Sequence, residues 1–495
     1  MGKNRAWYRF CLINRMLSRA LALVGMVLAT GLQAQFYADA PASLRLDTSY
    51  SYFQFFSEQT GQQLQEVFRK AQSDRAVIFH YGASHVQAEV LVTEARTALQ
   101  NEFGDAGRGL VFNYGAANTY SSINYKSTKE GTWKYAKSFM SRPSLPLGVM
   151  GMTVQSEELQ ASLHWEFKTP LKNRKHIIWI LADNDEWTPD FEVYINQAQY
   201  IFDKEKRELF HEVPYYALEY EGEIEHVNIQ LTNPGDSGVR FTFYGMNFEY
   251  ANSGGLVYHS LGVGAAPMES VLRLKAMPAQ AQALEPDMVF LDFGTNNILY
   301  TNRVDPKIRQ TVARAIDSFR LLNPDVVIVL TTTQDLYYKG RIITAAVEFR
   351  DLMQNLAREY DCVFWNWFDL SGGLGTIRQW GTDGYALSDN IHLTWKGYRL
   401  KGGFVHHSIM NTLNYLEANP NADSLVVTPK VYEMPAPAPA PTYTAKSSST
   451  RYHTVRSGES LWSISRKYNT SVEKIQRLNG MRGTVIRPGQ RLRVR

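Results

Sequence analysis

Apolar positions follow two different rhythms along the chain. Over 76–104 and 255–418, short continuous apolar runs alternate with longer stretches whose apolar residues recur every three or four positions. The runs 76–81, 288–293, 326–331 and 363–367 are β-branched or aromatic, as in strands buried on both faces, whereas 308–322 and 343–360 read as amphipathic helices. Strands alternating with helices predict an α/β fold, a parallel sheet covered by helices. Between these segments, over 105–254, the period drops to two. Leu163/Trp165/Phe167, Val227/Ile229/Leu231 and Val239/Phe241/Phe243 alternate with polar residues, and Asn233-Pro234-Gly235-Asp236 marks a turn. That pattern predicts a β-sandwich inserted after the first strand and helix of the α/β domain.

Both ends depart from these rhythms. Lys3, Arg5, Arg9, Arg15 and Arg19 precede an apolar stretch over 20–29, then small and polar residues up to Gln35. This is the order of a secretory signal peptide, and the apolar run is short of the roughly 20 residues a membrane span needs. Cys11 precedes the apolar run, so it is not the lipid-modified first residue of a mature lipoprotein. Removal of 1–35 leaves Cys362 alone, excluding an intramolecular disulfide; its apolar surroundings make it a buried core thiol. Near the other end, alternating Pro and Ala followed by Lys-Ser-Ser-Ser-Thr reads as an extended linker over 419–450. The net charge of +4 is unevenly spread: 451–495 carries eleven Lys/Arg against two Glu. The first 35 residues add +5, which leaves the stretch between at −10. An exported chain with a basic tail fits an anionic envelope surface better than nucleic acid.

Candidate chemistry lies where strands end. The first strand runs into Gly82-Ala83-Ser84-His85, which places Ser84 on a turn into a helix, where a hydroxyl faces the crevice and backbone N–H groups lie nearby. Asp389-Asn390-Ile391-His392 offers a base and an acid to orient it three residues apart. Gly294-Thr295-Asn296 follows a strand and can aim the Asn296 amide at a developing oxyanion; Ser260-Leu261-Gly262-Val263-Gly264-Ala265 can add a backbone N–H. Asp292 lies within a strand, below the crevice, and is not expected to be the triad acid. The acidic run 183–186 lacks the ordered ligand spacing of a calcium loop, and His406-His407 has no Cys, Asp or Glu at ligand spacing. No metal or cofactor is implied.

In this order and spacing the four blocks resemble the SGNH (GDSL-like) hydrolase family, whose named residues are Ser, Gly, Asn and His. The resemblance implies a flavodoxin-like parallel sheet, Ser84 as nucleophile, and His392 and Asp389 as base and orienter. It further implies an oxyanion hole formed by Ser84, Gly264 and Asn296. Two departures stand out: Ala83 replaces the family's Asp before the serine, and the Gly264-Ala265 block leaves Ala265 open as the donor. Residues 452–494, from Tyr452-His453-Thr454-Val455 through Asn479-Gly480 to Pro488-Gly489, resemble a LysM domain. Val455 and 492–494 suit its two strands, and Leu461, Ile464, Ile475 and Leu478 its two helices, giving a small βααβ unit. Such domains bind N-acetylglucosamine-containing glycans such as peptidoglycan. By that resemblance Gly458, Glu459, Ser460, Leu461, Pro488 and Gly489 would line the groove.

The organisation expected is a signal peptide (1–35), an SGNH hydrolase domain (76–104 plus 255–418), an inserted carbohydrate-binding-like β-sandwich (105–254), a linker (419–450) and a LysM domain (451–495). The whole is similar to bacterial peptidoglycan O-acetylesterases. It implies a monomeric serine esterase exported to the periplasm or cell envelope of a bacterium, with no membrane span after signal cleavage. Two rivals share the pattern: a glycan O-acetyltransferase using the same residues, and a wall-binding scaffold whose site has decayed, for which Ala83 is the one favourable feature.

Overall fold

The computed structural model describes residues 37, 39–120, 122–433, 451–456, 459–468, 470–481 and 483–494. The signal-peptide stretch, the Pro/Ala-rich part of the linker and Gly458 lie outside the described residues. Contacts divide the chain into two compact units, one ending at Tyr432 and the other beginning at Glu433.

The first unit is built on a six-stranded sheet. Its strands are β1 (Phe53–Gln54), β2 (Arg75–Gly82), β3 (Gly255–Gly262), β4 (Met288–Asp292), β5 (Val327–Thr331) and β6 (Val363–Trp365). Their spatial order is β1-β6-β5-β4-β2-β3. Strands β2 to β6 run parallel and β1 is antiparallel at one edge. The continuous apolar runs follow from burial on both faces. Along β2, Val77, Phe79 and Tyr81 enter one core cluster while Ala76 and Ile78 enter the other. Six helices matter below: α1 (Glu58–Ala71), α2 (Ser84–Gln87), α3 (Val90–Phe103), α4 (Lys307–Arg320), α5 (Ala345–Glu359) and α6 (Trp395–Ala418). Among the described residues no helix is long and apolar enough to cross a membrane.

The chain leaves this sheet at Gly104 and returns at Gly255, side by side: Leu256 N–H donates to Gly104 O at 2.9 Å. Between them lies one nine-stranded antiparallel sheet rather than two separate ones. Two long strands, Ser162–Ala182 and Tyr216–Leu231, pair along their lengths through register shifts at Gly222/Ile224 and Ile224/His226. Tyr125–Glu130 pairs with the first part of Ser162–Ala182 and Phe241–Tyr250 with its last part. The sheet doubles over at the bulged middle, so inner aromatics meet across it: Trp165–Phe243, Phe167–Phe248 and Phe191–Phe241 have ring centroids 5.5, 5.6 and 5.2 Å apart. These side chains belong to the same core cluster as Val289 and Leu291 of β4, so the insert shares its core with the α/β sheet.

The linker begins later than composition indicates. Residues 420–432 form a strap on the α/β body: Leu425 exchanges backbone hydrogen bonds with Phe55, and Val427 N–H donates to Gln54 Oε1 at 3.0 Å. The strap ends on the buried Asp369 carboxylate, which accepts from Tyr432 Oη at 2.6 Å and Lys430 N–H at 3.2 Å. Asp369 also pairs with Arg350 at 2.9 Å.

In the second unit, Tyr452–Thr454 pairs antiparallel with Arg491–Arg493, flanking helices Leu461–Lys467 and Val472–Leu478. Val455, Leu461, Ile464, Ile475, Leu492 and Val494 form its core.

Candidate active site

Sheet register brings the candidate residues to one level. Gly82, the last residue of β2, pairs with Gly262 on one side and Asp292 on the other, so Ser84, the Gly264 turn and Asn296 all emerge at the carboxyl ends of adjacent strands. Strand order reverses between β2 and β4, the switch point where a doubly wound sheet opens a crevice. Backbones pack tightly here: a Cβ on Gly262 would lie 2.1 Å from Gln87 N, and one on Gly82 would lie 2.3 Å from Val86 Cγ2. Ala83 is the N-cap of α2 and, having no polar side-chain atom, gives it no side-chain cap.

His392 is carried on a short turn in which Leu387 N–H donates to His392 O at 2.8 Å. Asn390 takes the left-handed conformation (φ 56°), which Asn tolerates. Thr394 then caps α6. Asp389 Oδ1 accepts the N–H groups of Ile391 and His392, each at 2.9 Å, while Oδ2 receives His392 Nδ1–H at 2.7 Å. That bond fixes the proton on Nδ1 and leaves Nε2 to accept from Ser84 Oγ at 2.9 Å. Burial alone would raise the Asp389 carboxyl, but the His392 ring and the two N–H groups hold it below the ordinary carboxylate range. Ser84, His392 and Asp389 therefore form one connected chain.

The remaining groups near this chain have other tasks. His85 is buried, with its ring centroid 5.3 Å from that of His392. Burial, reinforced by Lys401 and His392, depresses its pKa to about 3. Gln334 Nε2 approaches His85 Nε2 at 3.3 Å, so His85 Nδ1–H donates to Tyr398 Oη at 2.8 Å and His85 stays neutral. Asp292 pairs with Lys401 at 2.7 Å, accepts from Thr331 Oγ1 at 2.9 Å and lies 3.3 Å from His80 Nε2. Burial would raise its pKa, but Lys401 and His80 pull it down. Asp389, not Asp292, bonds His392.

Both further oxyanion candidates are engaged. Asn296 Nδ2 donates to Ala266 O at 3.1 Å, which leaves its second amide hydrogen. Gly264 N–H donates to Gln87 Oε1 at 2.5 Å, and Gln87 Nε2 donates to Thr119 Oγ1 at 3.0 Å and Tyr120 O at 3.2 Å. The buried Gln87 amide thus ties the Gly264 turn to an insert loop. Among the described residues the next N–H, that of Ala265 (φ 64°), has no protein acceptor. Sequence reading missed Gln87 because a polar residue in the first turn of a helix has no distinguishing mark.

Elsewhere, Tyr244 Oη donates to Asp183 at 2.8 Å and Arg240 pairs with Asp185, so the acidic 183–186 loop is tied down by its neighbours. Among the described residues no group of three or more His, Cys, Asp or Glu is placed to hold a metal. In the tail, Leu461 is a core residue, because its apolar side chain is needed to close a very small core. Its side chain therefore does not line a groove. Glu459 Oε2 accepts from Arg456 N–H at 2.8 Å and lies 2.7 Å from His453 Nε2. Ser460 and Ser463 cap the first helix reciprocally, and Pro488-Gly489 forms an exposed turn.

Residues 234–400 match the GDSL-like Lipase/Acylhydrolase family, and residues 453–495 match the LysM domain. The chain carries a GDSL-like hydrolase domain and a LysM domain. The hydrolase match includes Gly264, Asn296, Asp389 and His392 but begins after Ser84, which the long insert separates from the other blocks. One similar solved structure is described as "Peptidoglycan O-acetylesterase in action, 5 min". It has a TM-score of 0.58 and 18% identity, covering 72% of this chain and 96% of that one, which establishes a shared fold. Among curated proteins, an autolysin of Enterococcus faecalis is 50% identical over 48 residues, or 10% of this chain. A probable autolysin of Staphylococcus aureus, SsaALP, is 52% identical over 44 residues, or 9% of this chain. This chain spans only 6% of the first and 17% of the second.

Proposed function

We propose that the protein is an exported serine esterase that removes acyl groups, acetyl above all, from cell-wall glycan, where its LysM domain holds it. The observation that carries the reading is the connected Ser84–His392–Asp389 chain, with bonds of 2.9 and 2.7 Å, at the switch-point crevice. An intact chain also speaks against a decayed scaffold. Export rests on the charged, apolar and small-residue order of 1–35. The substrate rests on the LysM match, on its similarity to autolysins, and on the peptidoglycan O-acetylesterase that shares the fold.

In this reading Ser84 Oγ attacks the ester carbonyl as His392 Nε2 takes its proton, and ionised Asp389 stabilises the imidazolium. The carbonyl oxygen becomes an oxyanion that receives the Ser84 N–H, the second hydrogen of the Asn296 amide and an N–H of the Gly264-Ala265 turn. Ala265 supplies the N–H left free while Gln87 occupies that of Gly264. His392 returns the proton to the departing sugar hydroxyl. Water, deprotonated by the same imidazole, then releases the carboxylic acid and restores Ser84.

Hydrolysis of a short-chain chromogenic ester by the purified chain is the first test; absence of turnover would sink the reading. Replacing Asn296 with Ala should lower kcat roughly 10²–10³-fold with little change in KM, because the lost donor acts mainly in the transition state. A change confined to KM would instead make Asn296 a substrate-binding residue.

A further inference from the structure

Beyond Asn296 the helical turn continues: Leu299 N–H donates to Thr295 O at 3.0 Å and Asn302 N–H to Ile298 O at 2.8 Å. Tyr300 is four residues on from Asn296, just past the end of that short turn. Tyr300 is 68% exposed, an unusual place for a large ring beside a catalytic crevice. Its one ring partner among the described residues is Tyr338, edge to face with centroids 5.5 Å apart and planes at 84°.

Tyr338 is presented by a hairpin that also belongs to the crevice. Tyr337–Tyr338 pairs with Arg341–Ile342 through Lys339 (φ 49°) and Gly340 (φ 81°), a two-residue turn with both central residues left-handed. Tyr337 N–H donates to Asn390 O at 3.2 Å, between the two residues that supply the acid and the base. Just past the hairpin, the start of α5 is tied to the segment after Asn296, since Asn302 Oδ1 accepts from Ala345 N–H at 3.0 Å. The Tyr300–Tyr338 contact therefore joins the segment that follows Asn296 to the hairpin bonded to the Asp389–His392 turn. The adjoining segments carry Arg303, Lys339 and Arg341, with Asp305 and Asp335 flanking them and Glu269 Oε2 accepting from Asn297 Nδ2 at 3.1 Å. Lys339 Nζ lies 5.1 Å from the Tyr338 ring centroid.

We propose that this pair is a glycan subsite, in which a pyranose ring of the substrate strand stacks on Tyr300 and an acidic substituent of the strand faces Lys339. The inference rests on the esterase reading of Ser84. A pyranose presents a row of polarised C–H groups that complements the negative face of an aromatic ring, and an exposed tyrosine costs little ordering to meet it. An acyl chain would call for an enclosed apolar slot, which an exposed, cation-flanked pair does not provide. The subsite would hold the strand while its ester reaches the crevice beside Asn296.

The test compares full-length wild type, Tyr300→Ala, Tyr338→Ala and Lys339→Gln on soluble O-acetylated glycan oligosaccharides and on p-nitrophenyl acetate. For Tyr300→Ala the ratio of kcat/KM on glycan to that on p-nitrophenyl acetate should fall roughly tenfold, chiefly through KM, the scale of one aromatic contact. Tyr338→Ala should lower the ratio less. Lys339→Gln should lower it for acid-bearing oligosaccharides and not for neutral ones. An unchanged ratio, or equal loss on both substrates, would overturn the proposal. So would a Tyr300→Ala defect that grows with acyl length across p-nitrophenyl esters, which would make the pair an acyl site. If wild type hydrolysed neither substrate, the esterase reading would fail, and binding would still test the subsite. Ser84→Ala/Tyr300→Ala should then bind the same oligosaccharides more weakly than Ser84→Ala by calorimetry, with the LysM domain common to both, and equal affinities would overturn it.

Discussion

Replacing Ser84 with Ala should lower kcat on p-nitrophenyl acetate by roughly 10⁵–10⁶-fold while leaving the fold unchanged, the scale for losing the nucleophile of a serine hydrolase. His392→Ala should cost about as much. The double replacement should cost little more than either alone, because nucleophile and base act as a unit. Structure explains why folding should survive. Among the described residues Ser84 Oγ bonds only His392 across the crevice, and the turn beneath it is held by the close contacts at Gly82 and Gly262. Steady-state kinetics with circular dichroism on each variant provide the check. Substantial turnover by Ser84→Ala would remove Ser84 from the mechanism, and fully additive losses would mean that the two residues act separately.

The second large effect separates two truncations that composition would treat alike. Ending the chain after Tyr432 should leave the body as stable as before, because the contacts of the strap are kept. Ending it after Asn419 strips the Tyr432 hydroxyl and Lys430 N–H from Asp369, which is fully buried. It also exposes the backbone edge at Phe55 and leaves Gln54 without Val427. Arg350 and Asn366 still bond Asp369, so the cost is that of the lost donors, about 1.5–3 kcal/mol for a hydrogen bond to a charged group. Denaturant unfolding of the two truncated chains should show that gap; equal midpoints would mean that the strap adds nothing. The chain that ends after Tyr432 also isolates what the tail contributes. Its hydrolysis of soluble esters should match the full chain, while its rate on insoluble wall should fall roughly 10²-fold, since tethering raises the effective concentration of substrate. Part of that loss should fade with salt, as screening shortens the reach of the basic tail.

The truncations mark where sequence reading reached and where it stopped. Strands β2, β4, β5 and β6 were visible because burial on both faces makes them continuous apolar runs, and α4 and α5 because one face stays wet. The Ser84–His392–Asp389 chain was visible because its blocks, in order with the Gly and Asn turns, resemble a known family, with Asp389 and His392 on one turn and Ser84 just past a strand's end. What escaped depends on contacts between distant residues. Leu425, Val427 and Tyr432 have a short apolar rhythm, yet only Phe55, Gln54 and Asp369, far away in sequence, make the strap a part of the body. Gln87 gains its meaning from Gly264 and Tyr120. The doubling of the insert into one sheet depends on bulges in Tyr216–Leu231 that a period of two does not reveal. Helix α1 was legible and unread: Ser57 caps it, and Leu64, Val67, Phe68 and Ala71 form a regular buried stripe.

The central claim, a serine-dependent hydrolase of cell-wall esters, meets its most direct test in acetate released from purified O-acetylated peptidoglycan by the full chain and by Ser84→Ala. The account predicts steady release by wild type and only background release by Ser84→Ala. It would be contradicted if wild type released none, if acetyl groups moved to an added glycan acceptor without free acetate, or if Ser84→Ala released acetate at the wild-type rate.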